Sequence, residues 1–229
     1  MALREDLKLA YRIFSHLGWD DLTYTHISAR LPGSDTFFIQ PFGLLFEEVV
    51  PECLIELSMD GKTLHDVHST FNHTGYVIHG SIYSRRPDIH AIIHLHTVDG
   101  VAVSAMQEGL MPMSQFALHF YEKLSYHDYG SLALQFHGQG DALAQDLGQN
   151  KAMMLSNHGT LTCGSNLAEA VLYAYFLEKA CQVQVRAMSG GKGVIMPSHE
   201  ICKKAARELR EFEPDFGARD WKAWKRKLG

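Results

Sequence analysis

Apolar and polar positions repeat with two different periods along the chain, and each change of period marks a new element. Leu3, Leu7, Ala10, Tyr11, Phe14 and Leu17 recur at helical spacing, and Gly18 stands where such a helix stops, so residues 3–17 predict an amphipathic helix. "LTYTHISARLP" and "DTFFIQP" then predict two strands joined at "PGSD", and "CLIELSMDGKTL" predicts two more across Asp60-Gly61. Strands in immediate succession imply antiparallel pairing. Residues 69–86 return to a helical pattern through Tyr76, Val77, Ile78, Ile82 and Tyr83, closed by Pro87-Asp88.

Beyond that point "HAIIHLH" is an apolar strand, residues 97–106 are helical, and "KAMMLSNHG" is a short strand ending in a polar turn that "TLTCG" continues. "NLAEAVLYAYFLEKACQVQVRAM" is a long helix opened by Ser165 or Asn166, with Glu169 in its first turn. "SGGKGVIMPS" at 189–198 is a loop, and a short helix and a polar tail follow. The expectation is one mixed α/β domain over residues 1–190, with residues 191–229 as a C-terminal loop, short helix and basic tail.

Composition narrows the function classes. With 46% hydrophobic and 21% charged residues, the 229-residue chain can bury a core, and its formal charge of -5 argues against a nucleic-acid surface. The basic "WKAWKRKLG" is too short to reverse that. Cys53, Cys163, Cys181 and Cys202 form no short ligand spacing, which predicts reduced thiols. No uncharged run of 18 residues occurs, and the first helix carries Arg4, Glu5, Asp6 and Lys8, so neither a membrane span nor a signal peptide is expected and the predicted location is cytoplasmic.

The candidate chemistry lies in "AIIHLHTVDG". Alternation along a strand puts His94 and His96 on one face, about 7 Å apart along the chain, which suits convergence on one small object. A metal site needs three or four protein ligands, and "SNHGT" supplies His158 at the end of another apolar strand. Three neutral imidazoles with an open fourth position make a catalytic rather than a structural divalent-metal site. The competing reading is that these are ordinary members of a set of 14 scattered histidines. Three imidazoles accept zinc, iron, cobalt, nickel or manganese with little geometric discrimination, so affinity order and availability decide; zinc is the expected ion, with iron(II) or manganese as alternatives.

"SRRPDIHAIIHLHTVDGVAVSAM", "YHDYGS" and "SNHGTLTCGSNLAEAVLYAYFLEKACQVQV", together with "THISAR" and "QPFGLLFEEV", resemble the class II aldolase and adducin N-terminal domain family over roughly residues 4–190, with closer likeness to the adducin-like branch. The resemblance implies a three-layer α/β/α domain with a mostly antiparallel central sheet, assembled as a homotetramer with sites at subunit boundaries. It also implies that His94, His96 and His158 are metal ligands and that the partner is a small-molecule substrate.

The same resemblance exposes departures. The sugar-phosphate aldolases carry an acid/base glutamate nineteen residues before the first histidine of HxH, and that position here is Gly75. Their carbanion-protonating tyrosine corresponds to Phe116. In the phosphate cradle, His26 stands for an asparagine, and His73 and Thr74 for two serines. These changes predict a metal-dependent lyase or oxidative lyase acting on a hydroxy- or keto-acid, with His26 or His73 as the replacement base, or else a non-catalytic adducin-like interaction domain. Thr74 and Gly75 remain expected substrate-binding positions. Gly43 is expected either to admit close backbone approach of a ligand or to make a tight turn. "YHDY" at 126–129 reads as a buried polar turn closed by its own Asp-His pair.

Overall fold

The computed structural model describes residues 2–65 and 70–229. Among the described residues, seven strands form one sheet in the order β3-β2-β1-β4-β7-β6-β5. They are β1 (His26–Ala29), β2 (Thr36–Ile39), β3 (Ile55–Ser58), β4 (Ala91–Leu95), β5 (Leu124–His127), β6 (Ala152–Leu155) and β7 (Gly159–Gly164). Every pairing is antiparallel except β5 with β6, as the successive strands predicted.

Helices cover both faces, giving the expected three layers. On one face α1 (Ala2–Leu17), α6 (Leu167–Ser189) and α8 (Ala218–Leu228) pack on Ile27, Ala29, Ile93 and Leu95. On the other, α2 (His73–Arg85) and α5 (Asp141–Leu147) pack on Phe37, Ile39, Ile92 and Met153. The near-continuous apolar run of β4 follows from this double burial: Ile92 enters one core and Ile93 the other. Short helices α3 (Val98–Ser104) and α4 (Gln115–Leu118) and the longer α7 (His199–Phe212) complete the order.

Several sequence expectations change in detail. The first predicted strand shortens to β1, and the pair across Asp60-Gly61 reduces to β3 plus a single bridge between Leu57 and Thr63. The helix predicted over 69–86 begins at His73, where the Asn72 side chain accepts the Thr74 backbone N–H at 3.0 Å; Ser69 lies outside the described residues. "TLTCG" does not extend its predecessor but reverses on it as β7. Asn166 is the cap of α6, while Ser165 donates to the Glu169 carboxylate at 2.8 Å.

The polar tail is helical. Trp221 of α8 is buried in the core beneath α1, and Lys225 meets Asp6 at 2.7 Å, so its charges line the outside of an amphipathic helix. "YHDY" is not a buried turn: Tyr126 and Tyr129 are exposed, and His127 pairs with Asp146 at 2.6 Å rather than with Asp128. None of the helices among the described residues is long and apolar enough to cross a membrane.

Candidate metal centre

The strand argument for HxH and the turn argument for His158 meet at one point. His94 is the last residue but one of β4, His96 follows the strand, and His158 sits in the tight turn between β6 and β7, with β7 paired to β4. Asn157 takes the left-handed conformation at φ 57°, which asparagine tolerates, and the His158 N–H closes the turn on the Leu155 carbonyl at 3.0 Å. Gly159 is required sterically, because a Cβ there would lie 2.3 Å from the Leu95 carbonyl oxygen. The turn therefore presses against the end of β4 and brings the third imidazole to the first two.

Ring nitrogens converge there. His96 Nε2 lies 2.8 Å from His94 Nε2 and 3.0 Å from His158 Nε2. His94 Nδ1–H donates to the Thr160 carbonyl at 3.0 Å, and His96 Nδ1–H donates to Asp21 Oδ2, also at 3.0 Å. A neutral imidazole has one proton, so both Nε2 atoms present bare lone pairs. Two lone pairs facing at 2.8 Å repel unless a cation lies among them. A divalent ion fits this donor set, and the second hydrogen bond on each ring is the support that metal-bound histidines commonly receive.

Burial keeps the rings in the ligand form. It drives His94 well below the usual histidine range, reinforced by His96, His158 and His26, and it lowers His158 to about 4 with help from His96 and His127. At neutral pH both are therefore uncharged.

His26 joins the site from the neighbouring strand. It is register partner to His94 across β1 and β4, and the two rings lie 5.0 Å apart between centroids. Its own basicity is depressed by burial and then by His79, His96 and His158. Gly75 explains the room it has: a Cβ at that position would stand 2.9 Å from His26 Cδ2. The imidazole thus occupies the space into which a side chain at 75 would project.

The remaining expected site residues are not joined to the triad by any contact among the described residues. His73 Nε2 lies 3.0 Å from the Leu134 carbonyl, and its ring leans on Tyr76. The Thr74 hydroxyl is engaged in the α2 cap, donating to Asn72 Oδ1 at 2.7 Å. Gly43 has no neighbour within 4 Å of a Cβ, and its φ of +100° accounts for glycine there as a turn residue. Phe116 packs on Phe176 of α6, ring centroids 5.8 Å apart.

Three side chains beside the cluster stand outside the candidates that the sequence offers. Asp21 gave no signal in "WDD", since its pairing with His96 is long-range. Tyr129, whose ring lies 6.4 Å from His158, belongs to the "YHDY" segment that the sequence presents as a buried polar turn. His79 follows Gly75 by one helical turn, within a segment whose pattern is dominated by its apolar positions.

Comparison with known proteins agrees with this architecture. The profile described as Class II Aldolase and Adducin N-terminal domain matches residues 5–185. The crystal structure of an aldolase II superfamily protein from Pseudomonas syringae has a TM-score of 0.90 at 38% identity, covering 99% of this chain and 92% of that one. L-fuculose 1-phosphate aldolase from Glaciozyma antarctica has a TM-score of 0.81 at 28% identity, covering 94% of this chain and 91% of that one. Alpha-adducin of Rattus norvegicus is 37% identical over 196 residues, 83% of this chain but 26% of the adducin.

Proposed function

The chain belongs to the class II aldolase and adducin N-terminal domain family, and from that premise we propose that it is a divalent-metal-dependent lyase acting on a small hydroxy- or keto-acid. The reaction is carbon–carbon cleavage, decarboxylation or oxidative cleavage, and the substrate is not a sugar phosphate. The observation that carries this reading is the convergence of three imidazole nitrogens, two of them bared by their second hydrogen bonds, beside a position that has lost its carboxylate. His94, His96 and His158 would hold the ion, zinc before iron(II) or manganese. When bound, it supplies Lewis-acid polarisation of a substrate carbonyl or carboxylate.

The chain's own residues set the limits of the chemistry. Asp21 and the Thr160 carbonyl orient the ligand rings. Gly75 cannot move a proton, and Phe116 has no hydroxyl, so two general acid/base contributions of about 10² to 10⁴ each are absent from the aldolase positions. His26 is the proton-bearing side chain set against the triad, and it enters from β1 rather than from α2. The reading includes a cytoplasmic homotetramer, which the exposed Leu22, Tyr24, Val98, Leu132 and Leu134 support as side chains available for burial between copies.

Similarity to alpha-adducin favours a second reading, a non-catalytic interaction domain. One experiment separates the two. Protein purified without added metal is analysed for metal content, then assayed on sugar phosphates with aldehyde detection and on hydroxy- and keto-acids with oxygen consumption followed. The lyase reading expects about one ion per chain and turnover only in the acid panel. Robust turnover of a sugar phosphate would refute the inference from Gly75, and silence in both panels with metal bound would favour the interaction domain.

A further inference from the structure

Behind the metal centre lies a second polar assembly, fully buried between β1 and α2. His26 and Ser28 alternate onto one face of β1, while Gly75, His79 and Tyr83 recur every four residues along the facing side of α2. The two ladders meet. His26 Nδ1 is 2.9 Å from His79 Nε2, His79 Nδ1 is 2.6 Å from Ser28 Oγ, and Ser28 Oγ is 2.9 Å from the Tyr83 hydroxyl. Arg30, next on the strand face, stands over the Tyr83 ring at 4.5 Å. The chain ends at Tyr83, whose hydroxyl has no other partner among the described residues.

We propose that Tyr83, Ser28 and His79 are positioning residues that hold His26 as its Nε2–H tautomer, so that it offers the metal site a hydrogen-bond donor and not a fourth ligand nitrogen or a base.

The argument is a count of protons. Each of the four groups, when neutral, carries one, and three hydrogen bonds must be filled. The two bonds made by His79 can run in only two directions. In the first, Tyr83 O–H donates to Ser28, Ser28 O–H donates to His79 Nδ1, and His79 Nε2–H donates to His26 Nδ1. The proton of His26 is then on Nε2. In the reverse direction His26 Nδ1–H donates to His79 and His79 Nδ1–H to Ser28, and between the hydroxyls either Ser28 O–H donates to Tyr83 or Tyr83 O–H donates to Ser28. Either choice strands one hydroxyl proton, that of Tyr83 or that of Ser28, between β1 and α2, where the two residues are 2% and 0% exposed and neither hydroxyl has another acceptor among the described residues. The first direction leaves its unspent proton on His26 Nε2, which is not among the fully enclosed unpartnered polar atoms, whereas the reverse leaves it on a hydroxyl enclosed between β1 and α2; a phenol is also a better donor than an aliphatic hydroxyl, so the first direction prevails. Burial lowers His79, the middle of the line, to about 3, so it carries a single proton at neutral pH.

The consequence rests on the metal-centre reading above. An N–H at His26 Nε2 cannot ligate an ion, so the protein contributes three nitrogens and no more. It can donate to an oxygen on which negative charge develops, a fixed stabilisation that needs no carboxylate at position 75. His26 would then act as an acid or electrostatic group, and the base expected from the sequence would have to come from elsewhere.

The test reads nitrogens directly and needs no substrate. In the full-length protein labelled with ¹⁵N-histidine, long-range ¹H–¹⁵N correlation spectra at pH 7.5 distinguish protonated from bare ring nitrogens. The expectation is a protonated Nε2 and a bare Nδ1 on both His26 and His79, in metal-stripped protein and after zinc is added. Ser28→Ala should pull these shifts off their limiting values as the second tautomer becomes populated, and Ser28→Thr, which keeps the hydroxyl, should restore them. A bare His26 Nε2 in the wild-type protein overturns the proposal with no variant required. Limiting shifts that persist in a folded Ser28→Ala protein overturn the positioning role. Zinc-induced shifts at His94, His96 and His158 report separately on the metal centre, so its failure would be seen as such.

Discussion

Two histidine clusters share β1 and β4, and they differ in where their protons lie. In the triad, carbonyl and carboxylate acceptors draw the protons of His94 and His96 to the outer nitrogens, leaving bare nitrogens face to face. In the assembly of His26, His79, Ser28 and Tyr83, every shared line is occupied by a hydrogen bond. His94 of the first cluster and His26 and His79 of the second are all buried, so burial alone does not decide the role of a histidine. Its partners do: an acceptor behind the ring prepares a ligand, and a donor behind the ring prepares a donor.

The largest expected effect breaks the comparison at the triad. Replacing His94 by alanine removes a central nitrogen from the cluster, and bound metal should fall well below one equivalent per chain by elemental analysis. Unchanged stoichiometry would mean that the three nitrogens do not share an ion. His26→Asn, on the other side of the comparison, should leave the stoichiometry near one, because that ring is not a ligand.

A smaller effect tests the support of the ligands. Asp21→Ala frees His96 to move its proton onto Nε2 while leaving all three imidazoles in place. Loss of such a supporting partner typically costs about 10- to 100-fold in metal affinity, measurable by competition with a chelating dye. Affinity unchanged within twofold would show that the Asp21 contact at 3.0 Å orients nothing.

The boundary between the clusters is tested by volume. Gly75→Glu places a Cβ against the His26 ring at 2.9 Å and should destabilise the fold by about 1–3 kcal/mol, the usual range for overpacking. For a chain of this size, each kcal/mol corresponds to about 2–4 °C in melting temperature. His26→Asn in the same protein should recover part of that loss, because the smaller side chain vacates the space. Additive destabilisation by the two changes would show that residues 75 and 26 do not compete for it.

Much of this was legible in the chain. Period-2 and period-3.6 patterns located α1, β4 and α6 because each buries a regular stripe or is buried on both faces. HxH and "NHG" named the three convergent imidazoles because strand alternation and a tight turn are local properties. What was missed depends on distant segments. Asp21 reaches His96 across 75 positions and Thr160 reaches His94 across 66, so no window of sequence contains either pair. The tail looked merely basic because only Trp221 of α8 is deeply buried, and one aromatic residue does not establish a period. The assembly on α2 was obscured by its position within an apolar pattern: Gly75, His79 and Tyr83 form a stripe only when set against His26 and Ser28.

The smallest effect isolates one member of that assembly through its pH dependence. His79 is lowered by burial to about 3 in the folded protein, while in the unfolded chain it titrates near 6.5. Above 6.5 the ring is neutral in both states and has no effect on the pH dependence of stability. Between 6.5 and about 3 the unfolded chain binds a proton that the folded protein refuses, so stability falls as the solution is acidified. The slope for one such group approaches 1.36 kcal/mol per pH unit well below 6.5. His79→Gln removes the titrating ring and keeps hydrogen-bonding atoms. Urea unfolding of the metal-stripped protein from pH 6.5 to 4.5 should therefore show a shallower acid loss in the variant, by about 1 kcal/mol per pH unit near the lower end. Parallel curves for the two proteins would show that His79 is protonated with the same ease folded and unfolded. The buried proton count on which the tautomer of His26 depends would then fail with it.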